Sequence, residues 1–122
     1  MIIDLTDALQ GWQYDPEHSV RIVRAGDGRK VMQVRLPLGI EQYELDGRPD
    51  GKRPFGRDTV LEEYQHRLNE YRSEQGTDEG FEIDEHTFKM LQNEAILFYY
   101  RYLHLYQIAD YRRTTRDTQH NL

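Results

Sequence analysis

Apolar and polar residues alternate in the first half of the chain. From Met32 onward, every second residue of MQVRLPL is apolar, which places the apolar side chains on one face of a β-strand. Asp27-Gly28, between this run and the preceding SVRIVR, predicts a hairpin because Gly tolerates the positive φ of a tight turn. Pro37 cannot donate a ladder hydrogen bond, and the alternation resumes after it in IEQYEL. The pattern predicts an antiparallel sheet of two long strands or three shorter ones.

The period changes to that of a helix in the second half of the chain. A T-x-x-E capping box that begins at Thr59 precedes an apolar stripe that ends near Gly76. Asp84 is expected to cap a second, longer helix from about residue 85 to residue 108, and Asp110-Tyr111 predicts a turn into a third helix. Near the N-terminus, residues 4–12 predict a short helix with Asp4 as its candidate N-cap.

The long helix is apolar on two faces. One face carries Leu91, Ala95, Phe98, Tyr102 and Leu105, and the other carries Ile96, Tyr99, Leu103 and Tyr106. Such a helix has to be covered on both sides. The sheet and the first helix can cover one side, while the other requires the C-terminal segment or a second chain. Tyr99, Tyr102 and Tyr106 are therefore candidate interaction residues, with capping of the domain's own core as the alternative.

These elements predict one α+β domain over residues 1–122. A small antiparallel sheet (about 18–46) is followed by a loop (46–58) and a helical part (about 59–122), in which a helical hairpin with one long aromatic helix packs on the sheet.

Charge is distributed unevenly around a net value of −6. Residues 18–57 carry nine basic and five acidic residues, whereas residues 58–122 carry seven basic and thirteen acidic ones. A nucleic-acid backbone would repel the chain as a whole, so only a local basic patch could bind it. There is no cysteine, no apolar run near the ~20 residues that span a bilayer, and no basic segment in MIIDLTDALQGW that would indicate a signal peptide. A cytoplasmic protein without membrane contact is expected.

The loop DGRPDGKRPFGRD concentrates turn-forming and basic residues. Arg48, Lys52, Arg53 and Arg57 surround glycines whose backbone N–H groups could hold an anion beside the helix that begins at Thr59. The alternative is structural, because the same arginines could pair with the acids of the loop and fold it onto itself. The acids concerned are Asp46, Asp50 and Asp58.

Three other chemistries are weakly supported. Glu63 and His66 form a single E-x-x-H, whereas di-iron bundles use two such motifs with two further carboxylates. The chain has no G-x-S-x-G, and His104 lies in an aromatic helix where a packed histidine is expected. We therefore expect no enzyme, no cofactor and no metal. The hairpin also presents a basic ribbon for nucleic acid, without interleaved stacking aromatics; its members are Arg21, Arg24, Lys30 and Arg35.

One family resemblance concerns most of the chain. The run VRIVRAGDGRKVMQVRLPLGIEQYELDGRPDGKRPFG, followed by FYYRYLHLYQIADYRRTTRDTQHNL, resembles the N-terminal domain of uncharacterised bacterial proteins that carry a UvrB/UvrC-type motif further on. The resemblance covers Val20 to Leu122, and GRPDG (residues 47–51) and the helix over 99–111 are its most specific parts. The later motif of those proteins, a short helical hairpin that docks partner proteins, is absent, which implies a piece of a longer protein. No catalytic role follows from the resemblance.

The sequence as a whole favours a non-enzymatic protein–protein interaction or self-association module. A protein partner or a homodimer is expected at the tyrosine-rich helix. The alternative is anion or nucleic-acid binding through the basic hairpin and the loop between Arg48 and Arg57.

Overall fold

Strands precede the three long helices in a computed structural model that describes residues 3–122. The elements in chain order are α1 (Thr6–Gln10), β1 (Val20–Arg24), β2 (Lys30–Leu36), β3 (Gly39–Glu44), a short 3-10 turn (Pro54–Gly56), α2 (Val60–Gln75), α3 (Glu85–Gln107) and α4 (Tyr111–His120). They form the α+β fold that the sequence predicts. Met1 and Ile2, which begin the stretch MIIDLTDALQGW, lie outside the described residues.

The sheet has three antiparallel strands in the order β1-β2-β3. Gly28 has a φ of 91° in the first hairpin, as the Asp27-Gly28 signal predicts. In the second hairpin Leu36 pairs with Gly39, so Pro37 and Leu38 form a two-residue turn. Of the two predicted arrangements, three shorter strands is therefore the one found, because Pro37 turns the chain instead of kinking a long strand.

Side-chain caps begin the three long helices, and the sequence predicts two of these caps, Thr59 and Asp84. The Thr59 hydroxyl accepts from Glu62 N at 3.0 Å, and Asp84 accepts from Thr87 N at 2.7 Å. Asp110 accepts from Arg113 N at the start of α4. These bonds satisfy backbone donors that have no partner inside the helix.

The short helix near the N-terminus differs from the expectation. It begins only at Thr6, with Leu5 in the N-cap position and no side-chain cap. Asp4 does contact this helix, since its carboxylate accepts from Thr6 N at 3.0 Å. Asp4 therefore binds the helix start from the residue before the N-cap position, because the helix begins one residue later than the apolar spacing predicts.

The core lies between the sheet and the C-terminal half of α3. Its buried members are Met32, Val34, Tyr43, Leu45 and Leu105, with Val20 and Ile108 packed beside them. All but Leu105 and Ile108 come from the strands or the end of β3, so the alternating pattern of the sheet supplies most of the core. This packing fixes which side of α3 faces inward.

Candidate interaction surface

The inward side of α3 carries both of the charged residues that lie between Met90 and Gln107. Glu94 and Arg101 are each 0% exposed, and Phe98 and Leu105 on the same side of the helix are 5% and 0% exposed. Buried charges are rare unless paired. What pairs them determines how the rest of the chain packs on α3.

Glu94 joins α3 to three other parts of the chain. Its carboxylate accepts from Val60 N at 2.7 Å and Leu61 N at 3.1 Å, the first N–H groups of α2. Arg48 of the loop donates to it at 3.1 Å. His120 of α4 places Nε2 3.3 Å from Oε2, within ion-pair distance but without the alignment of a hydrogen bond. One carboxylate therefore holds a helix start, the loop and the C-terminal helix.

The contacts of Glu94 also decide its ionisation. Burial raises its pKa, but the His120 imidazole and the two backbone N–H groups lower it by more. The pKa consequently lies below its usual value, and the group is a carboxylate at neutral pH.

Arg101 fastens α4 to the same inward side. It binds Asp117 through two parallel hydrogen bonds of 2.7 and 2.8 Å, and both side chains are buried. A third hydrogen bond, 2.9 Å long, reaches the carbonyl of Glu44 at the end of β3. The His120 ring stacks on Phe98 at 3.7 Å between centroids. The C-terminal helix therefore covers the side of α3 that was already inward, although it was a candidate to cover the other.

The outward side of α3 remains uncovered within residues 3–122. Ile96, Tyr99, Leu103 and Tyr106 are 45%, 44%, 43% and 64% exposed. Their spacing of three, four and three residues places them in one line along the helix. We call these four side chains the outer stripe.

Further tyrosines border the outer stripe. Tyr100 and Tyr111 are about as exposed as its members. Tyr99 contacts the Tyr102 ring edge to face at 5.3 Å, and Tyr106 lies 5.8 Å from Tyr111. Of the three predicted interaction residues, Tyr99 and Tyr106 thus point outward, while Tyr102 is half-buried at the margin. Between Met90 and Gln107 no exposed side chain of α3 is an acid, a lysine or an arginine.

The loop around Arg48 is folded against α3. Pro49 and Asp50 are the central residues of a turn closed by Gly51 N and Arg48 O at 2.9 Å. The Arg48 guanidinium binds Asp50 at 2.9 and 3.1 Å, and it also reaches Glu94. Burial raises the pKa of Asp50, but Arg48 and the Lys52 N–H together lower it by more, so the net pKa is below normal. Arg48 thus lies in ion pairs of the kind that the structural alternative predicts.

The other basic residues of the loop point to different places. Arg53 lies 3.5 Å from Asp58 in an exposed pair, and Arg57 donates to Glu63 of α2 at 2.8 Å. Lys52 makes no ion pair within residues 3–122, and an open cleft of about 250 Å³ beside it contains as many acids as bases. Its charged lining residues are Glu44, Asp46, Arg48, Lys52, Arg53 and Asp58. Three of the four candidates, Arg48, Lys52 and Arg53, therefore line one cleft, but its three acids balance their charge, and Arg57 lies outside it.

The basic residues of the hairpin form two pairs, Arg21 with Arg35 at Trp12 and Arg24 opposite Lys30. Arg35 is buried and donates to Trp12 O at 2.6 Å, while Arg21 lies over the Trp12 ring at 3.9 Å. Arg24 donates to a backbone carbonyl of the first hairpin turn. Arg21, Arg24 and Lys30 are exposed. Lys30 lines an open cleft whose other charged residues are Arg29, Arg113, Glu44 and Asp46. Two of the four therefore serve to fix the Trp12 segment on the sheet.

The E-x-x-H residues of α2 have other partners. Glu63 accepts from Arg57 and from Arg67 at 3.0 Å, and His66 pairs with Glu70 at 3.0 Å. Residues 3–122 contain no group of three or more His, Asp or Glu side chains placed to hold a metal ion. His104 is half-buried, with its ring 5.9 Å from that of Tyr43.

Sequence reasoning missed the buried charges. Glu94 and Arg101 are seven residues apart, and Phe98 and Leu105 lie on the same side of the helix. A charge that recurs in phase with the apolar core stripe is a signal for burial, and it was available in the sequence. Asp117, the partner of Arg101, had no comparable signal in the sequence. The helix that carries it, α4, has few apolar residues that would indicate which of its sides faces inward.

Comparison of the chain with protein-family models, with curated proteins and with solved structures finds no match. The resemblance to the bacterial domain with a UvrB/UvrC-type motif therefore stays a hypothesis. Among the helices within residues 3–122, none is sufficiently long and apolar to traverse a bilayer.

Proposed function

We propose that this chain is a non-enzymatic self-association module, and that the outer stripe of α3 is its binding surface. The observation that carries the proposal is the reversal of the usual pattern on α3. The charges of its central part are buried, and its exposed side chains are large, apolar or aromatic and uncharged. Large exposed apolar patches commonly mark binding sites.

The composition of the surface supports an interface. The central part of protein interfaces is depleted in charged residues and enriched in tyrosine. Tyr99, Tyr100 and Tyr106 supply ring area together with a hydroxyl that stays hydrogen-bonded to water when the surface is free. Ile96 and Leu103 supply aliphatic area between the rings.

The absence of charge favours a second copy as the occupant. Each copy carries a net charge of −6, so two copies repel each other across most of their surfaces. The outer stripe is a region where two copies can meet without placing like charges in contact. The four side chains of the outer stripe, with Tyr100 and Tyr111 beside it, offer about 600 Å² of exposed surface from each copy. This is slightly below the ~800 Å² per partner of a standard interface. We therefore expect a reversible dimer with a Kd on the order of 10 µM, which is mostly monomeric at ~1 µM and mostly dimeric at ~200 µM.

Two matched substitutions test the proposal. Leu103→Glu introduces a charge in the middle of the outer stripe, whereas Leu38→Glu makes the same change at the second hairpin turn, where Leu38 is 90% exposed. At ~200 µM, light scattering should give the wild type and Leu38→Glu twice the 14.7 kDa chain mass. Leu103→Glu should have the mass of one chain and an unchanged circular dichroism spectrum.

Two outcomes would overturn the proposal. A wild type that keeps the single-chain mass at ~200 µM has no self-association to explain. A Leu103→Glu variant that stays dimeric while the wild type is dimeric places the interface elsewhere.

Anion or nucleic-acid binding has less support. Arg48, Arg53 and Arg57 each have a carboxylate partner, so an incoming anion would have to compete with these. Binding of that kind would weaken steeply with added salt, whereas pairing of uncharged side chains would not.

A further inference from the structure

We propose that the second copy lies antiparallel on the outer stripe, with Ile96 of each chain opposite Tyr106 of the other and Tyr99 opposite Leu103. This inference rests on the proposed self-association and specifies its geometry. It places the two-fold axis on the outward side of α3, level with residue 101 and midway along the stripe, so that the same surface is used by both copies.

The spacing of the outer stripe selects a helix as the surface that it meets. Side chains separated by three, four and three residues form the seam used when two helices pack about 20° from parallel or antiparallel. α3 is 23 residues long, and its stripe extends over about half of that length. In an isologous dimer the facing helix is α3 of the second copy.

The sizes of the side chains favour the antiparallel direction. In that direction each aliphatic side chain, Ile96 or Leu103, faces a tyrosine, so large and smaller side chains alternate across the seam. A parallel pair would instead place each stripe residue against its own copy. The two tyrosines would then face tyrosines, and Ile96 and Leu103 would each face an identical aliphatic side chain. Helix dipoles also oppose each other in the antiparallel pair.

The charges at the two ends of α3 favour the same direction. Residues 74–85, which lead into α3, contain six acids and no lysine or arginine. Of the three arginines in residues 111–116, which follow α3, Arg113 and Arg116 are paired with Asp110, Asp46 and Asp117. Arg112 is exposed without an ion pair inside residues 3–122. Parallel copies would bring two acidic ends together. Antiparallel copies bring the acidic end of one toward Arg112 of the other.

The cysteine-free chain allows a clean cross-linking test. Disulfides form only when the two Cα atoms are within about 7 Å, and residues 96 and 106 are separated by about 15 Å along one helix. Single variants Ile96→Cys and Tyr106→Cys, oxidised with glutathione disulfide at ~200 µM, should each give only the background set by exposed Leu38→Cys. An equimolar mixture of the two should give the 96–106 disulfide, identified by peptide mass.

A spin-label measurement keeps the test independent of the stripe side chains. Gln92→Cys lies exposed at the end of the stripe and leaves its four members intact. Antiparallel copies should place the two labels about 25–30 Å apart, because 92 would face residue 110 of the other copy. Parallel copies would place them within about 15 Å.

The failures of the two proposals are distinguishable. A dimer in which Ile96→Cys cross-links alone, or in which the labels are close, overturns the antiparallel geometry and leaves self-association standing. A dimer with no disulfide above background and no distance near 25–30 Å also overturns the geometry. A wild type that is monomeric by mass overturns the self-association on which the geometry rests.

Discussion

The two sides of α3 differ in a way opposite to that of an ordinary surface helix. The inward side contains Glu94 and Arg101, both fully buried, while the outward side contains the outer stripe. Amphipathic helices usually bury the apolar side and expose the charged one. The two sides therefore have different roles. The inward side holds the parts of the chain together, and the outward side is the one that we propose binds a second copy.

The inward side works through specific partners. Glu94 accepts from the start of α2 and from Arg48, and Arg101 binds Asp117 of α4. A buried pair adds little compared with apolar packing of the same volume, but breaking it leaves an uncompensated charge. The outward side has no such requirement, so substitutions there should leave the single chain intact.

The largest expected effect is on the buried pair of the inward side. Asp117→Ala leaves the Arg101 guanidinium buried with only the carbonyl of Glu44 to bind, which should lower the free energy of unfolding by about 3–5 kcal/mol. Urea unfolding at ~1 µM protein, where the chain is monomeric, measures this change. A loss below about 1 kcal/mol would contradict the role that we assign to the pair.

A double substitution is the matched control for that prediction. Arg101→Met with Asp117→Leu replaces both charges by apolar side chains of similar volume, and should be more stable than Asp117→Ala alone. If the double variant is less stable than the single one, the loss reflects packing and not the stranded charge.

An intermediate effect is expected from the loop. Arg48 is 13% exposed and reaches Glu94, so Arg48→Ala should lower stability by roughly 1–3 kcal/mol. Arg53 is 67% exposed in its pair with Asp58, and Arg53→Ala should produce no measurable change. Equal losses for the two variants, measured by urea unfolding, would show that the loop is not held through Arg48.

A smaller effect is expected from Glu94 on the pH dependence of stability, to which other carboxylates with a lowered pKa also contribute. The pKa of Glu94 in the folded chain is lowered from 4.5, so its stabilisation is complete above about pH 4.5 and is lost as pH falls through the folded value. Glu94→Gln should be less stable than the wild type at pH 7 and should lose less stability between pH 5 and pH 3. Urea midpoints measured between pH 5 and pH 3 give the change of stability with pH for both proteins. An identical change in the two would contradict a lowered pKa for Glu94.

The sheet and the helix starts could be predicted because local signals specify them. Alternation from Met32, the turn at Asp27-Gly28 and caps at Thr59 and Asp84 act over a few residues each. The two-faced character of α3 was also predictable from its spacing. The contacts of Glu94 were not, because its partners come from residues 34 and 46 positions earlier and from α4.

The side of α3 that α4 covers could not be predicted either. α4 is a polar helix, and Asp117 is its only buried residue. A charge pair, not an apolar stripe, decides where it docks, and pattern reasoning has no rule for choosing Asp117 over the other polar residues of YRRTTRDTQH.

Footprinting with hydroxyl radicals at two protein concentrations tests most directly whether the outward side of α3 is a self-association surface. Between ~1 and ~200 µM, the oxidation rates of Tyr99, Leu103 and Tyr106 should fall, because the second copy shields them from solvent. The rates of Leu38 and Phe55, which are exposed outside α3, should stay constant. Equal rates for the stripe residues at both concentrations would contradict the account.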